Sequence, residues 1–228
     1  MHHHAMNMGL QELLKDIIMD GQSRILEPGS PRDLIIETLP RKASICMGVR
    51  RCGKSTFMEG IMQQLAEGGV SRENMVWINF ADDRLSPLAL EGLGGIHEAY
   101  YGMFPEKRHR EKVYFFFDEI QIFPQWELFV ERLRREEECD IYITGSSARM
   151  LSREIGTEMR GRSLSWELFP FSFGEYLTYR DIPRNLKGGS TQKLLIRKAW
   201  TDYRETGGFP ETFNASPAVR LSLHQEYF

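Results

Sequence analysis

The segment GVRRCGKST, residues 48 to 56, constrains this chain more than any other stretch. It follows the apolar run ASICM and precedes FMEGIMQQLAEG, which carries a helical pattern. Two arginines and a lysine on so short a turn repel one another unless an anion sits among them. Gly48, four residues, then Gly53, Lys54 and Ser55 fit the spacing G-x-x-x-x-G-K-[ST] of a phosphate-binding loop (Walker A). Glycines at those two places let main-chain N–H groups turn inward around phosphate oxygens, and the helix that follows adds its positive end. Lys54 then reaches the β- and γ-phosphates, and the Ser55 hydroxyl ligates Mg²⁺. The loop set is Gly48, Arg50, Arg51, Cys52, Gly53, Lys54, Ser55 and Thr56. Arg50 and Arg51 have two readings, phosphate contact or exposed loop cation. Cys52 reads as a small residue in a tight turn, and Thr56 as an α-phosphate contact or a residue just behind the phosphate contacts.

Such a loop needs a buried strand before it and a helix after it, and the chain repeats that alternation. Five short apolar runs rich in β-branched or aromatic residues read as strands: 43–49, 75–80, 113–119, 140–147 and 163–169. None of the central ones alternates in polarity, as expected of strands covered on both faces. Helical patterns fall at 54–69, 86–104, 124–138 and 147–161. Strands alternating with helices imply an α/β fold with a parallel sheet. From about Glu167 the alternation stops, and FSFGEYLTYR, QKLLIRKAWTDYRETGG and AVRLSLHQEYF read as a small helical region. Residues 1–8 are taken as a tag remnant and leader, 9–169 as the core and 170–228 as a helical appendage. The last helical pattern runs to Phe228 with no stop signal, which reads as a chain cut short of a C-terminal domain.

A second run, YFFFDEIQ (114–121), ends four aromatics in Asp118 and Glu119. A buried strand closing in two adjacent carboxylates is the Walker B arrangement. Asp118 then holds Mg²⁺ through water opposite Ser55, and Glu119 orients and deprotonates the attacking water. The fourth strand ends in Thr144, Gly145, Ser146 and Ser147, and Ser146 is the chosen hydroxyl for the γ-phosphate or the water. The catalytic set is therefore Lys54, Glu119 and Ser146, with ATP and Mg²⁺ as cofactors. Two other readings stay open: a slow nucleotide switch holding ATP or ADP, and a small-molecule phosphotransferase using the arginines at 149, 153, 160 and 162.

Composition narrows the class. A net charge of -3 gives no global attraction to nucleic acid, and the basic run PEKRHREK reads as a solvated loop. The three cysteines have no CxxC spacing and suit a reducing, cytoplasmic setting. No apolar run approaches the roughly 18 residues that a membrane span needs. His97, His109 and His224 lack metal-ligand spacing.

GVRRCGKST, FFFDEIQIFPQWE, ITGSSARMLSREIGTEMRGRS, ELFPFSFGEYL and GGFPE together resemble the AAA+-like ATPases of bacteria and archaea, over most of residues 30 to 212. The resemblance implies ATP rather than GTP and a five-stranded sheet of order 5-1-4-3-2 with helices on both faces. It also implies an arginine finger within RGR, Arg162 ahead of Arg160, acting in trans in a homo-oligomer. A DNA or protein partner would engage through the C-terminal domain that family members carry.

Overall fold

The structure is a computed structural model and describes residues 2–146, 159–185 and 189–227. Among these, β1 (Ala43–Gly48), β2 (Met75–Asn79), β3 (Val113–Asp118), β4 (Cys139–Ser146) and β5 (Ser163–Glu167) form one sheet. Every pairing is parallel, in the order β2-β3-β4-β1-β5, which is the expected order read from the other edge. β3 shows why its run is uniformly apolar. Phe115 and Phe117 enter one core with Ile45, Val76 and Ile143, while Phe116 enters another with Met58, Met62, Trp77 and Tyr142. All three phenylalanines are fully buried, each contributing roughly 1.5–3 kcal/mol of transfer free energy. Phe116 also stacks on Tyr142, centroids 4.8 Å apart.

The helix α1 (His2–Ser23) was assigned no element by the sequence reading. It packs against β2, and its Leu10, Leu14, Ile17 and Ile18 are buried in the Phe115 core. The phosphate-loop helix α2 (Lys54–Glu67) supplies Met58 and Met62 to the opposite face. The weak glycine-interrupted pattern at 86–104 resolves into α3 (Leu88–Glu91) and α4 (Gly94–Met103). The pattern after β3 is α5 (Trp126–Glu136), burying Trp126, Phe129, Val130 and Leu133. Helices thus cover both faces. The helix expected over 147–161, with Ser147, Arg149 and Arg153, falls outside the described residues except for its last three positions.

The C-terminal region consists of α6 (Phe173–Tyr179), α7 (Ser190–Thr206) and α8 (Pro217–Tyr227). It has a small core of its own from Phe171, Tyr176, Leu177, Ala199 and Phe213. A capping box starts α6: Ser172 accepts from the Glu175 N–H, and Glu175 accepts from the Ser172 N–H. The basic run at 105–112 is largely consumed internally. Lys107 pairs with Glu73 and Glu111, Arg108 with Glu137, and Lys112 with Asp140.

Candidate functional site

The loop leaves the C-terminal end of β1 at Gly48, where a Cβ would lie 2.3 Å from the Leu168 carbonyl oxygen and 2.9 Å from Cys52 Sγ. Only glycine fits that approach. Gly53 closes the loop at φ 96°, a left-handed conformation that other residues adopt at a cost, and Arg51 is also left-handed at φ 62°. Lys54, only 7% exposed, donates from Nζ to the Gly48 oxygen at 3.1 Å and the Val49 oxygen at 2.8 Å. Carbonyl dipoles solvate that ammonium without neutralising it, so the arrangement suits an added anion.

Ser55 and Asp118 are joined. Ser55 Oγ donates to Asp118 Oδ2 at 2.7 Å, and Thr144 Oγ1 donates to Asp118 Oδ1. The Asp118 carboxylate is 5% exposed, and its main-chain oxygen accepts from Phe80 N at 2.8 Å, so both ends of the residue are fixed. Two oxygen donors meeting beside the glycine turn form the donor set that Mg²⁺ takes, with one carboxylate and one hydroxyl and the rest left to phosphate and water. The residues present fit that ion. Among the described residues no group of three His, Cys, Asp or Glu side chains offers a metal cage of its own.

Glu119 follows in a left-handed conformation, φ 57° and ψ 34°, with its N–H donating to the Thr144 oxygen at 3.2 Å. Its carboxylate accepts from Gln121 Nε2. Ser146 lies at the end of β4, in register with Gly48, and Thr144 stands two residues before it on the same side of the strand. Thr144, which sequence reasoning named but did not choose, is the hydroxyl that touches Asp118. Its register position opposite Asp118 follows from the pairing of β3 with β4 and from no local motif.

Arg162 is elsewhere. Its oxygen accepts from Ala43 N at 3.0 Å, so it stands where β1 begins, about 16 Å along the strand from Gly48. Its side chain is half-exposed and lies 3.7 Å from Glu131. Within one chain it is outside the site. Arg160 is exposed on the same turn.

Of the loop cations, Arg51 pairs with Glu211 at 2.8 Å and lies 3.8 Å from Glu226, both in the C-terminal region. Arg50 is exposed. Burial pushes the Cys46 thiol up to about 12 and also raises that of Cys52, so neither forms a thiolate near neutral pH.

A residue that sequence reasoning missed is Arg32. Its guanidinium, 5% exposed at the side chain, takes both Glu175 oxygens at 3.0 and 3.3 Å. It also donates to the Cys52 oxygen of the loop at 3.0 Å and stacks 4.2 Å from the Phe171 ring centroid. Beside it opens a cavity of about 740 Å³. The 28–38 segment, α2 from Thr56 to Glu67, Tyr142 of β4, and Phe171, Tyr179 and Pro210 from the C-terminal region line it. Its walls are mostly apolar and it adjoins Gly53, a lining suited to an organic group attached to phosphate.

The family model described as AAA domain matches residues 40–177. An uncharacterized protein of Methanocaldococcus jannaschii is 34% identical over 197 residues, covering 86% of this chain. An uncharacterized protein of Haemophilus influenzae is 30% identical over 179 residues, or 78% of the chain. The chain spans 42% of the length of each. Among solved structures, C. elegans PCH-2 aligns with 97% of the chain and 61% of its own at a TM-score of 0.47 and 12% identity. Hsp104 in complex with casein, from S. cerevisiae, aligns with 96% and 38% at 0.46 and 13%. Among the described residues no helix is long and apolar enough to cross a membrane.

Proposed function

Since the chain belongs to the AAA domain family, whose matched span includes both motifs, we propose that it binds ATP with Mg²⁺ and hydrolyses the β–γ phosphoanhydride. One observation carries the reading: the hydrogen bond from Ser55 to Asp118 joins two motifs 63 residues apart in sequence. A shared ligand accounts for the convergence of the loop serine and the strand-end aspartate.

Main-chain N–H groups of the loop and the Lys54 ammonium bind the phosphates. Ser55 Oγ and Asp118 Oδ2 would hold the metal, which, when bound, offsets charge on the β- and γ-oxygens. Glu119 takes a proton from the attacking water. Ser146, in register with Gly48, offers its hydroxyl to the γ-phosphate or that water. The cavity beside Arg32 takes the nucleoside. Arg162, at the opposite end of β1 from the loop, serves a neighbouring copy, which ties full activity to a homo-oligomer. A cytoplasmic setting fits the three free cysteines.

The second reading, a slow switch, draws on the ion pair between Arg51 and Glu211, through which the loop and the C-terminal region share a contact. Turnover separates the two, since a switch runs far below about 1 s⁻¹. For hydrolysis, Glu119→Gln keeps ATP binding and lowers kcat by roughly 10²–10⁴-fold. Lys54→Ala weakens ATP binding by about 10–100-fold, the worth of charge-assisted contacts to phosphate. Undiminished binding by Lys54→Ala contradicts the loop assignment, and an active Glu119→Gln moves the base elsewhere.

A further inference from the structure

The sequence DEIQ closes β3, and the reading above uses only its two acids. Gln121 is left over, and its surroundings are unusual. Its Nε2 donates to Glu119 Oε2 at 2.5 Å. Its other amide arm, Oε1, is buried with no hydrogen-bond partner among the described residues. The nitrogen must be the arm that faces Glu119, because a carboxylate oxygen accepts and cannot donate to an amide oxygen.

The backbone around the pair is rigid. Glu119 N donates to the Thr144 oxygen, and Ile122 N and Phe123 N donate back to the Glu119 and Ile120 oxygens at 3.1 and 3.0 Å. Ile120 is fully buried and Phe123 nearly so, pinning the single turn Ile120–Ile122 to the core. Gln121 therefore approaches Glu119 from a fixed point. A free Glu119 carboxylate would rotate about its own side-chain bonds; one held at Oε2 presents Oε1 in a defined direction.

Gln121 Oε1 is buried, so no water reaches that arm, and the oxygen of Glu119 that Gln121 leaves unheld is the one that remains for a water.

We propose that Gln121 is the positioning residue for Glu119, holding one carboxylate oxygen so that the other faces the attacking water. This rests on the reading that the site hydrolyses ATP. In the step, a water O–H bond breaks and its proton goes to Glu119. The water oxygen bonds to the γ-phosphorus as the bond from that phosphorus to the β–γ bridging oxygen breaks, and ADP leaves with the electron pair.

The test uses the full chain and Gln121→Met, close in length and free of polar atoms, with Gln121→Ala as a second variant. ATP affinity by titration, steady-state phosphate release and thermal melting are measured on each. The expected result is a fall in kcat on the order of 100-fold, the cost of misplacing a reacting group, with ATP affinity unchanged within twofold and both variants folded. Added to Glu119→Gln, Gln121→Met causes no further loss, because residues acting as one unit are not additive. Wild-type kcat in either folded Gln121 variant overturns the proposal. So does a parallel fall in affinity and kcat, or an additive loss in the double variant. A wild-type chain that binds no ATP fails at the earlier step and overturns the hydrolysis reading itself, whereas normal wild-type turnover with indifferent Gln121 variants overturns this inference alone.

Discussion

Arg51, in the phosphate loop, and Glu211, 160 positions later in the chain, share a hydrogen-bonded ion pair at 2.8 Å. The crowding of cations on the loop is relieved there by a carboxylate of the C-terminal region. A bound triphosphate and Glu211 present like charge to the same guanidinium, so they compete for it.

Glu211→Gln is therefore expected to bind ATP more tightly. The pair is half-exposed on both sides, which limits its worth to about 0.2–1 kcal/mol and the gain to at most about fivefold. The gain shrinks as salt is raised, because exposed charges are screened. Calorimetric titration at low and high ionic strength checks this; weaker or unchanged binding in the variant removes Arg51 from the phosphate site.

The buried pair of Arg32 and Glu175 carries a stability prediction. Arg32→Ala strands a carboxylate that is otherwise matched by both guanidinium arms and by the N–H groups of Asp33 and Ser172. Such a loss costs about 3–5 kcal/mol, a fall in Tm of roughly 6–20 °C for a chain of this size. Differential scanning calorimetry reads it, and a shift of only a degree or two means that the pair contributes little.

Glu175 also sets a pH dependence. Burial alone would raise its pKa, but the Arg32 guanidinium and the two N–H groups outweigh burial, and the net shift is downward. A carboxyl depressed in the folded state contributes stability that is present above the ordinary glutamate value, about 4.3, and is lost as pH falls from there through the folded value. Glu175→Gln is expected to flatten the loss of Tm below pH about 4.3; equal acid slopes in both proteins contradict it.

Arg162 is separated from the loop of its own chain by the length of β1. If a neighbouring copy receives it, mixing Arg162→Ala with Glu119→Gln subunits restores some turnover, since one kind of mixed interface pairs an intact Glu119 with an intact Arg162. Phosphate release at several mixing ratios measures this. No recovery at any ratio assigns Arg162 a structural part.

Much of this was legible in the chain. The strands show as unbroken apolar runs because both faces of the sheet are covered, and the loop and DE motifs announce themselves by spacing. The helix α1 carried a readable signal in Leu10, Leu14, Ile17 and Ile18, which recur at helical spacing. That signal is masked because the helix begins within the tag-like leader and precedes the strand–helix alternation. The pairing of Arg32 with Glu175 could not be read, because 143 positions separate them and, although Glu175 stands in ELFPFSFGEYL, nothing local directs it to Arg32. Thr144 and Ser146 are equivalent by local pattern, and only strand register tells which one meets Asp118. The tie between Arg51 and Glu211 was hidden for the same reason, although both residues stand in stretches that the sequence marks.

Central to the proposed activity is the convergence of Ser55 and Asp118 on a metal-bound triphosphate. Calorimetric titration of the chain with ATP, in Mg²⁺ and again in excess chelator, tests it most directly. Saturable one-site binding in Mg²⁺ that weakens by about tenfold or more in chelator, with the difference abolished in Asp118→Asn, is the predicted result. Binding that ignores both the metal and the Asp118 substitution, or no binding at all, contradicts it.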